Sequence, residues 1–362
     1  MSNLVVSGYY GSKNAGDEAM LAAMLEVLSD LDPKLHITVI SADPADTEKR
    51  HGVDAVSWLN IPEIWRAIKK SDLLISGGGS LLQNVTSRRS LYYYVCIIIL
   101  AKIIGRPVML YAQGIGPIYG VIARRCMNFI GNRVSMITVR DKGSLEELAS
   151  LGITKPPIKC TADPVLAINP VGKEAGRAIL KNYGADGAKP VVGISVREWR
   201  GWDKYKKVLA EVSDSIVREL KARVVFLPMQ YPEDVKVAEG IAAMAEEECT
   251  VLKDEYNTAE LLSLVGNMDL MLGIRLHALI FAGVMGVPMV GLSYDPKIER
   301  FLDSIGEKPV GDLEHISAEE LMQEIRHRWN DKSVFKEENA ALMRKLRMEA
   351  AHNAELALEL IK

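Results

Sequence analysis

Histidine and cysteine are scarce in this chain, with six and four among 362 residues, and each shortage narrows the chemistry available. Cys96, Cys126, Cys160 and Cys249 stand far apart and form no C-x-x-C pair, which argues against a zinc site and against a secreted disulfide framework. No Asp/His/Cys cluster suggests a metal centre, and no metal is expected. The sequence also lacks G-x-G-x-x-G and lacks the Gly-Lys-Ser/Thr ending of a P-loop. At the N-terminus there is no basic segment followed by an apolar stretch and a cleavage site. The run "LVVSG" reads as a first strand, so a cytoplasmic location is expected. A net charge of -3 gives no reason to propose nucleic-acid binding. Long apolar runs are missing too. The segment from Leu91 to Ile104, "LYYYVCIIILAKII", has fourteen residues with Lys102 inside, against the ~20 needed to cross a bilayer. Two readings of 91–104 stay open: a helix buried between sheet and neighbours, or a patch resting peripherally on the inner face of the cell membrane.

What is present is the material of an α/β protein, with 48% hydrophobic and 25% charged residues. Short β-branched runs alternate with helix-like stretches, the pattern of parallel sheets covered on both faces. In the first half, strands are predicted at "LVVSGY", "HITVIS", "LLISGG", "VMLYAQG", "MITVRD" and "IKCTADP", with helices near 17–30, 61–70, 90–104, 121–132 and 143–151. The second half restarts the series with "VVGISVR", "RVVFLPMQ", "TVLK", "DLMLGIR" and "PMVGLSYD". Pro and Gly punctuation in "NPVGKEAGRAILKNYGADGAKP" places a join near residue 170. The expected domains are 1–170 and 171–362, two doubly wound domains in tandem facing across a cleft, and the last thirty residues read as a terminal helix. The subunit number is left open, a homo-oligomer included.

In such sheets ligands bind beyond the carboxyl ends of the strands, so a polar residue just past a strand end is a site candidate. Gly8 to Gly16, Gly77 to Gly79, and Gly114 with Gly116 are glycine-rich turns at such ends, suited to an oxygen-rich ligand. Gln113 adds an amide for hydroxyls. Arg140 ends "MITVR", Arg197 ends "GISVR" and Arg275 ends "DLMLGIR". A guanidinium there suits a carboxylate or phosphate, although a salt bridge within the domain is the plainer alternative. His277 opens a helix straight after a strand in "GIRLHAL", and "SYDPK" puts Asp295 and Lys297 at the next strand end. Such a site suits a small, highly charged anion.

With these motifs in hand, the sequence closely resembles the bacterial polysaccharide pyruvyl transferases of the CsaB type. The resemblance runs through "GYYGSKNAGDEAML", "LLISGGGSLLQ", "AQGIGP", "VRDKGS", "ADPV", "LPMQ", "GIRLHALIFA" and "GLSYDPK". It implies two Rossmann-like domains of GT-B form, with the C-terminal helix packing back toward the first. It also implies pyruvyl transfer from phosphoenolpyruvate (PEP) to a cell-wall sugar as a ketal, with PEP as co-substrate and no cofactor. His277, Arg140 and Lys297 are implied as catalytic or PEP-contacting positions, joined by Arg275 and, from its strand end, Arg197. Gly11, Asn14, Asp17, Gly78, Gly79 and Gln113 then fall to the acceptor side, where a polymeric or lipid-linked sugar is expected. A GT-B nucleotide-sugar glycosyltransferase and a non-catalytic glycan- or PEP-binding protein are the alternatives.

Overall fold

A computed structural model of the chain describes every residue except Met1, Thr86, Arg200, Trp202 and Lys362. The chain divides into two compact units. Unit 1 holds residues 1–12, 17–168 and 346–362, and unit 2 holds 13–16 and 169–345. Two short stretches cross the cut placed near residue 170: residues 13–16 join unit 2, and the end of the chain joins unit 1.

Unit 1 is built on β1 (Asn3–Tyr10), β2 (His36–Ser41), β3 (Asp54–Ser57), β4 (Leu73–Ser76), β5 (Val108–Gln113), β6 (Met136–Val139) and β7 (Ile158–Cys160). They pair in parallel in the order β3-β2-β1-β4-β5-β6-β7. The helices are α1 (Ala15–Leu31), α2 (Pro44–His51), α3 (Ile61–Lys70), α4 (Arg88–Ile104), α5 (Val121–Gly131) and α6 (Lys142–Ser150). Strand alternation decides which side chains go where. Val5, Leu74 and Leu110 face one core with the inner sides of α3, α4 and α5. Leu4, Val6, Ile75 and Tyr111 face the other with α1 and the chain's last helical turns, where Ala354, Leu356 and Ala357 are buried. Burial on both faces is why these strands read as continuous apolar runs.

Unit 2 repeats the plan with β8 (Val191–Ser195), β9 (Arg223–Leu227), β10 (Cys249–Val251), β11 (Leu270–Gly273), β12 (Met289–Ser293) and β13 (Gly311–Asp312), paired as β10-β9-β8-β11-β12-β13. Its helices are α7 (Glu174–Asn182), α8 (Lys204–Leu220), α9 (Glu233–Ala242), α10 (Thr258–Gly266), α11 (Leu276–Met285), α12 (Pro296–Ser304) and α13 (Ala318–Asn330). Helix α14 (Lys332–Glu359) starts in this unit and ends in unit 1. In unit 1, Thr161 Oγ1 meets Asn353 Oδ1 at 2.8 Å and Arg347 Nη2 donates to the Ile168 carbonyl at 2.8 Å.

In both all-parallel sheets the strand order reverses once, between β1 and β4 and between β8 and β11. A reversal splays the two flanking connections to opposite faces and opens a crevice at the carboxyl ends of those strands. The residues following β1, β4, β8 and β11 are therefore where a ligand fits in each unit. Helix α4 resolves the reading of 91–104 in an unexpected way. Leu91, Tyr94, Val95, Ile97, Ile98 and Ala101 are core, whereas Tyr92, Cys96, Ile99 and Ile103 are exposed. Among the described residues, no helix is long and apolar enough to cross a membrane.

Candidate active site

In unit 2, the chain leaving β8 carries Arg197 and the chain leaving β11 carries Arg275, so the two guanidinium groups flank the reversal point. Their partners differ. Arg275 is locked to Asp234, with Nε to Oδ2 at 3.0 Å and a second bond from Nη2 to Oδ1. Asp234 is fully buried, and its Oδ2 also accepts the amides of Met229 and Gln230 at 3.1 and 2.9 Å. Arg275 is thus charge-compensated and serves first to fix the turn after β9, the salt bridge within the domain that was the plainer alternative. Arg197 instead donates through Nη1 to the hydroxyl of Tyr294, and its guanidinium lies 4.5 Å from the Tyr294 ring and 4.8 Å from the Trp199 ring.

Lys297 approaches from the next strand end. Asp295 caps α12 by accepting the Lys297 amide at 3.1 Å, with Pro296 supplying the preset φ of a first helical residue. That cap turns the Lys297 ammonium to 5.3 Å from the Tyr294 ring and 3.6 Å from Asp295 Oδ2. Tyr294 is therefore the hub of the cations. Burial by itself would raise its hydroxyl, but Lys297, Arg197 and Arg275 outweigh burial and hold it below the ordinary tyrosine value. Sequence reading passed over Tyr294, Trp199 and Asp234. The first stands at a strand end in "SYDPK" and could have been found by the same filter; Asp234 sits in a helix, 41 positions from Arg275, with no local signal.

His277 lies in the first turn of α11, for which Arg275 is the cap residue. Its neighbour comes from the chain's start. Residues 13–16 form a short stretch in unit 2: Asn14 Nδ2 donates to Gln230 Oε1 at 2.7 Å, and the Ala15 amide donates to the Met229 carbonyl at 2.8 Å. The stretch ends with Gly16 flat against the imidazole, where any Cβ would overlap Nδ1. Asn14 is thereby a structural clasp on Gln230, and its Oδ1 accepts the Gly16 amide at 3.0 Å.

In unit 1, the remaining candidates gather after β1, β4, β5 and β6. Arg140 is buried and paired with Asp163 at 2.7 Å, and it reaches Ser80 Oγ at 3.2 Å. A Cβ on Gly114 would stand 2.7 Å from its Nη2, so that glycine is required for the guanidinium to lie flat. The plainer alternative for Arg140, an ion pair within its domain, is thus the observed geometry. Gln113 is fully buried, and its Nε2 donates to the carbonyls of Ser76 and Gly77. Through Nε2 it braces the glycine turn after β4. Gly11, at φ +71°, packs on Ser41 and Asp43, and its amide donates to Glu18 Oε1 at 2.8 Å. Glu18 is in turn paired with His51 at 3.0 Å. Gly79, at φ +100°, leaves room for Met20 and Asp17, whose Oδ1 would be 3.2 Å from a Cβ there. Gly78 packs on Met20 and Pro164.

Comparison with known proteins agrees with this architecture. Anabaena Alr3699/HepE, solved in complex with UDP-glucose, superposes with a TM-score of 0.66 at 13% identity, covering 100% of this chain and 98% of that one. A glycosyltransferase from Rickettsia africae gives 0.60 at 13% identity, with 99% and 95% covered. The UDP-GlcNAc 2-epimerase of Neisseria meningitidis, bound to UDP-GlcNAc, gives 0.67 at 13% identity, with 99% and 100% covered. At such identities the likeness is one of fold, two Rossmann-like domains of GT-B form with a long C-terminal helix. By sequence, the amylovoran biosynthesis protein AmsJ of Erwinia amylovora is 25% identical over 256 residues, which is 66% of this chain and 60% of the relative's length. The family model for polysaccharide pyruvyl transferases matches residues 14–296, from the clasp at Asn14 to the cap of α12, and this chain belongs to that family.

Proposed function

We propose that the protein transfers the pyruvyl group of PEP to two hydroxyls of one sugar in a polysaccharide or its lipid-linked precursor, forming a ketal and releasing phosphate. The observation that carries this reading is the set of three cations around the Tyr294 hydroxyl at the reversal point of unit 2, with His277 in the adjoining helix turn. PEP brings a carboxylate and a phosphate to such a set, and preorganised cations stabilise the charge that develops as phosphate departs. Arg197 and Lys297 take the anionic groups, and Arg275, clamped by Asp234, holds the edge in place.

The reaction asks for a proton on the methylene carbon of PEP. His277 delivers it as general acid, converting the methylene to a methyl and leaving C2 electron-deficient. A sugar hydroxyl bonds to C2 and gives its proton to His277, which restores the acid. The bond from C2 to the phosphate oxygen breaks with its electron pair going to phosphate. A second hydroxyl of the same sugar closes the ring on C2, and its proton leaves with the phosphate. Tyr294 sits among the cations with its hydroxyl held below the ordinary tyrosine value by Lys297, Arg197 and Arg275, placed to relay a proton at the phosphate end. The glycine turn at Gly78 and Gly79, with Asp17 beside it, is assigned to the acceptor sugar.

Incubating the protein with PEP and candidate lipid-linked saccharides, and following phosphate release and product mass, tests this. A mass gain of one pyruvyl ketal is expected. Consumption of a UDP-sugar with no use of PEP would replace the reading with glycosyl transfer.

A further inference from the structure

Residues 58–133 contain ten lysines and arginines against two acids, Glu63 and Asp72, a formal +8 inside a chain whose total is -3. That excess coincides with the apolar surface of unit 1. Ahead of α3, Trp58 and Leu59 are exposed, the latter by 73%. On α3 itself Ile61 and Trp65 face out. The outer side of α4 shows Tyr92, Ile99 and Ile103, spaced to lie along one helical face, and α5 opens with Val121 and Ile122 and continues to Phe129. The inner sides of these three helices share one core, so their outer sides lie on the same side of the sheet. Cross-links make the surface firm: the Trp58 and Tyr93 rings meet edge to face at 5.7 Å, and Asn84 bonds Tyr119 twice, at 2.7 and 2.9 Å.

We infer that the outer face of α3, α4 and α5 is a docking surface for a membrane rich in anionic lipid, seated there by exposed isoleucines and tryptophans and held by the surrounding cations. The pattern of apolar tips within a basic field is what an interfacial segment needs, since burial of the apolar groups and attraction to lipid phosphates act together. A water-soluble partner protein would not select for so one-sided an excess of cations over so much exposed aliphatic surface. The face also begins at the N-terminal ends of its helices, and in a parallel sheet those ends lie on the same edge as the glycine turn after β4. A sugar carried on a membrane-anchored lipid would therefore meet unit 1 on the edge where its hydroxyls are proposed to bind. The docking itself does not rest on that assignment, because it is read without PEP or acceptor.

Co-sedimentation of the full chain with vesicles tests it. With vesicles of phosphatidylglycerol and phosphatidylcholine the protein should pellet, and with phosphatidylcholine alone, or at high salt, binding should fall ~10-fold or more. A Leu59→Glu, Ile103→Glu, Ile122→Glu variant, changed only at exposed positions, should lose vesicle binding while keeping its circular dichroism. Should that variant misfold, the charge reversals Lys69→Glu, Lys70→Glu and Arg125→Glu decide, with the same loss expected. Protein that stays in the supernatant with anionic vesicles overturns the inference. So does binding indifferent to both variants, or a dimer in solution that the apolar variant dissociates with no vesicle binding in the parent.

Discussion

The α-carbon of Gly16 rests against the imidazole of His277, so close that a single added methyl would overlap Nδ1. The two residues are far apart in sequence, and the contact gives the last glycine of "GYYGSKNAG" its purpose: it sets the position of the ring proposed to protonate PEP. Gly16→Ala must displace either the ring or the clasp made by Asn14 with Gln230. A displacement of about 1 Å at a reacting group costs roughly 100-fold in rate. We expect kcat to fall on that order, with a stability loss of about 1–3 kcal/mol. A folded Gly16→Ala protein with the parent kcat would remove the contact from the account.

Tyr294 offers a spectroscopic test. Its hydroxyl is held below the ordinary value because Lys297, Arg197 and Arg275 favour the phenolate more than burial disfavours it. The ultraviolet titration of the parent minus that of Tyr294→Phe should show one phenol ionising below the usual ~10. Adding PEP places negative charge beside the phenol and should move the midpoint up, and Arg197→Ala should do the same. A difference spectrum with its midpoint at or above 10 would mean that the three cations do not act on this hydroxyl.

Asp234 bears on stability. Its carboxylate takes two bonds from Arg275 and two backbone amides in a fully buried position. Asp234→Ala leaves the Arg275 charge uncompensated, which costs about 3–5 kcal/mol. Urea unfolding measures it, and a loss under about 1 kcal/mol would show that solvent or another group compensates Arg275.

How far the sequence foretold these relationships follows from the range of the forces involved. The alternation of strands and helices in both halves was readable because local apolar periodicity builds it. The edge pieces of unit 1 were not: α2, "PADTEKRH", has no apolar stripe, and β3 is four residues long at the sheet margin. Arg140, Arg197, Arg275 and Lys297 were visible because strand ends are local features. Their partners were hidden. Asp163, Asp234 and Tyr294 lie 23, 41 and 97 positions from the arginines they meet, and nothing local marks those pairings. For the same reason the protein contacts of Gln113 with Ser76 and of Asn14 with Gln230 had no local signal. The two readings of 91–104 stood open because a sequence window cannot tell the two faces of a helix apart without knowing where its neighbours lie.

The central claim is that His277 protonates the methylene carbon of PEP. The measurement is turnover in deuterated water by the parent and by His277→Gln, which keeps hydrogen bonding but cannot deliver the proton. In the parent, the ketal's methyl group should carry a solvent deuteron. The variant should still bind PEP and turn over about 10²- to 10⁴-fold more slowly, the usual cost of losing a general acid. A His277→Gln protein that retained most of the parent rate, with the same deuterium in its product, would contradict the account and pass the proton to another donor, Lys297 first.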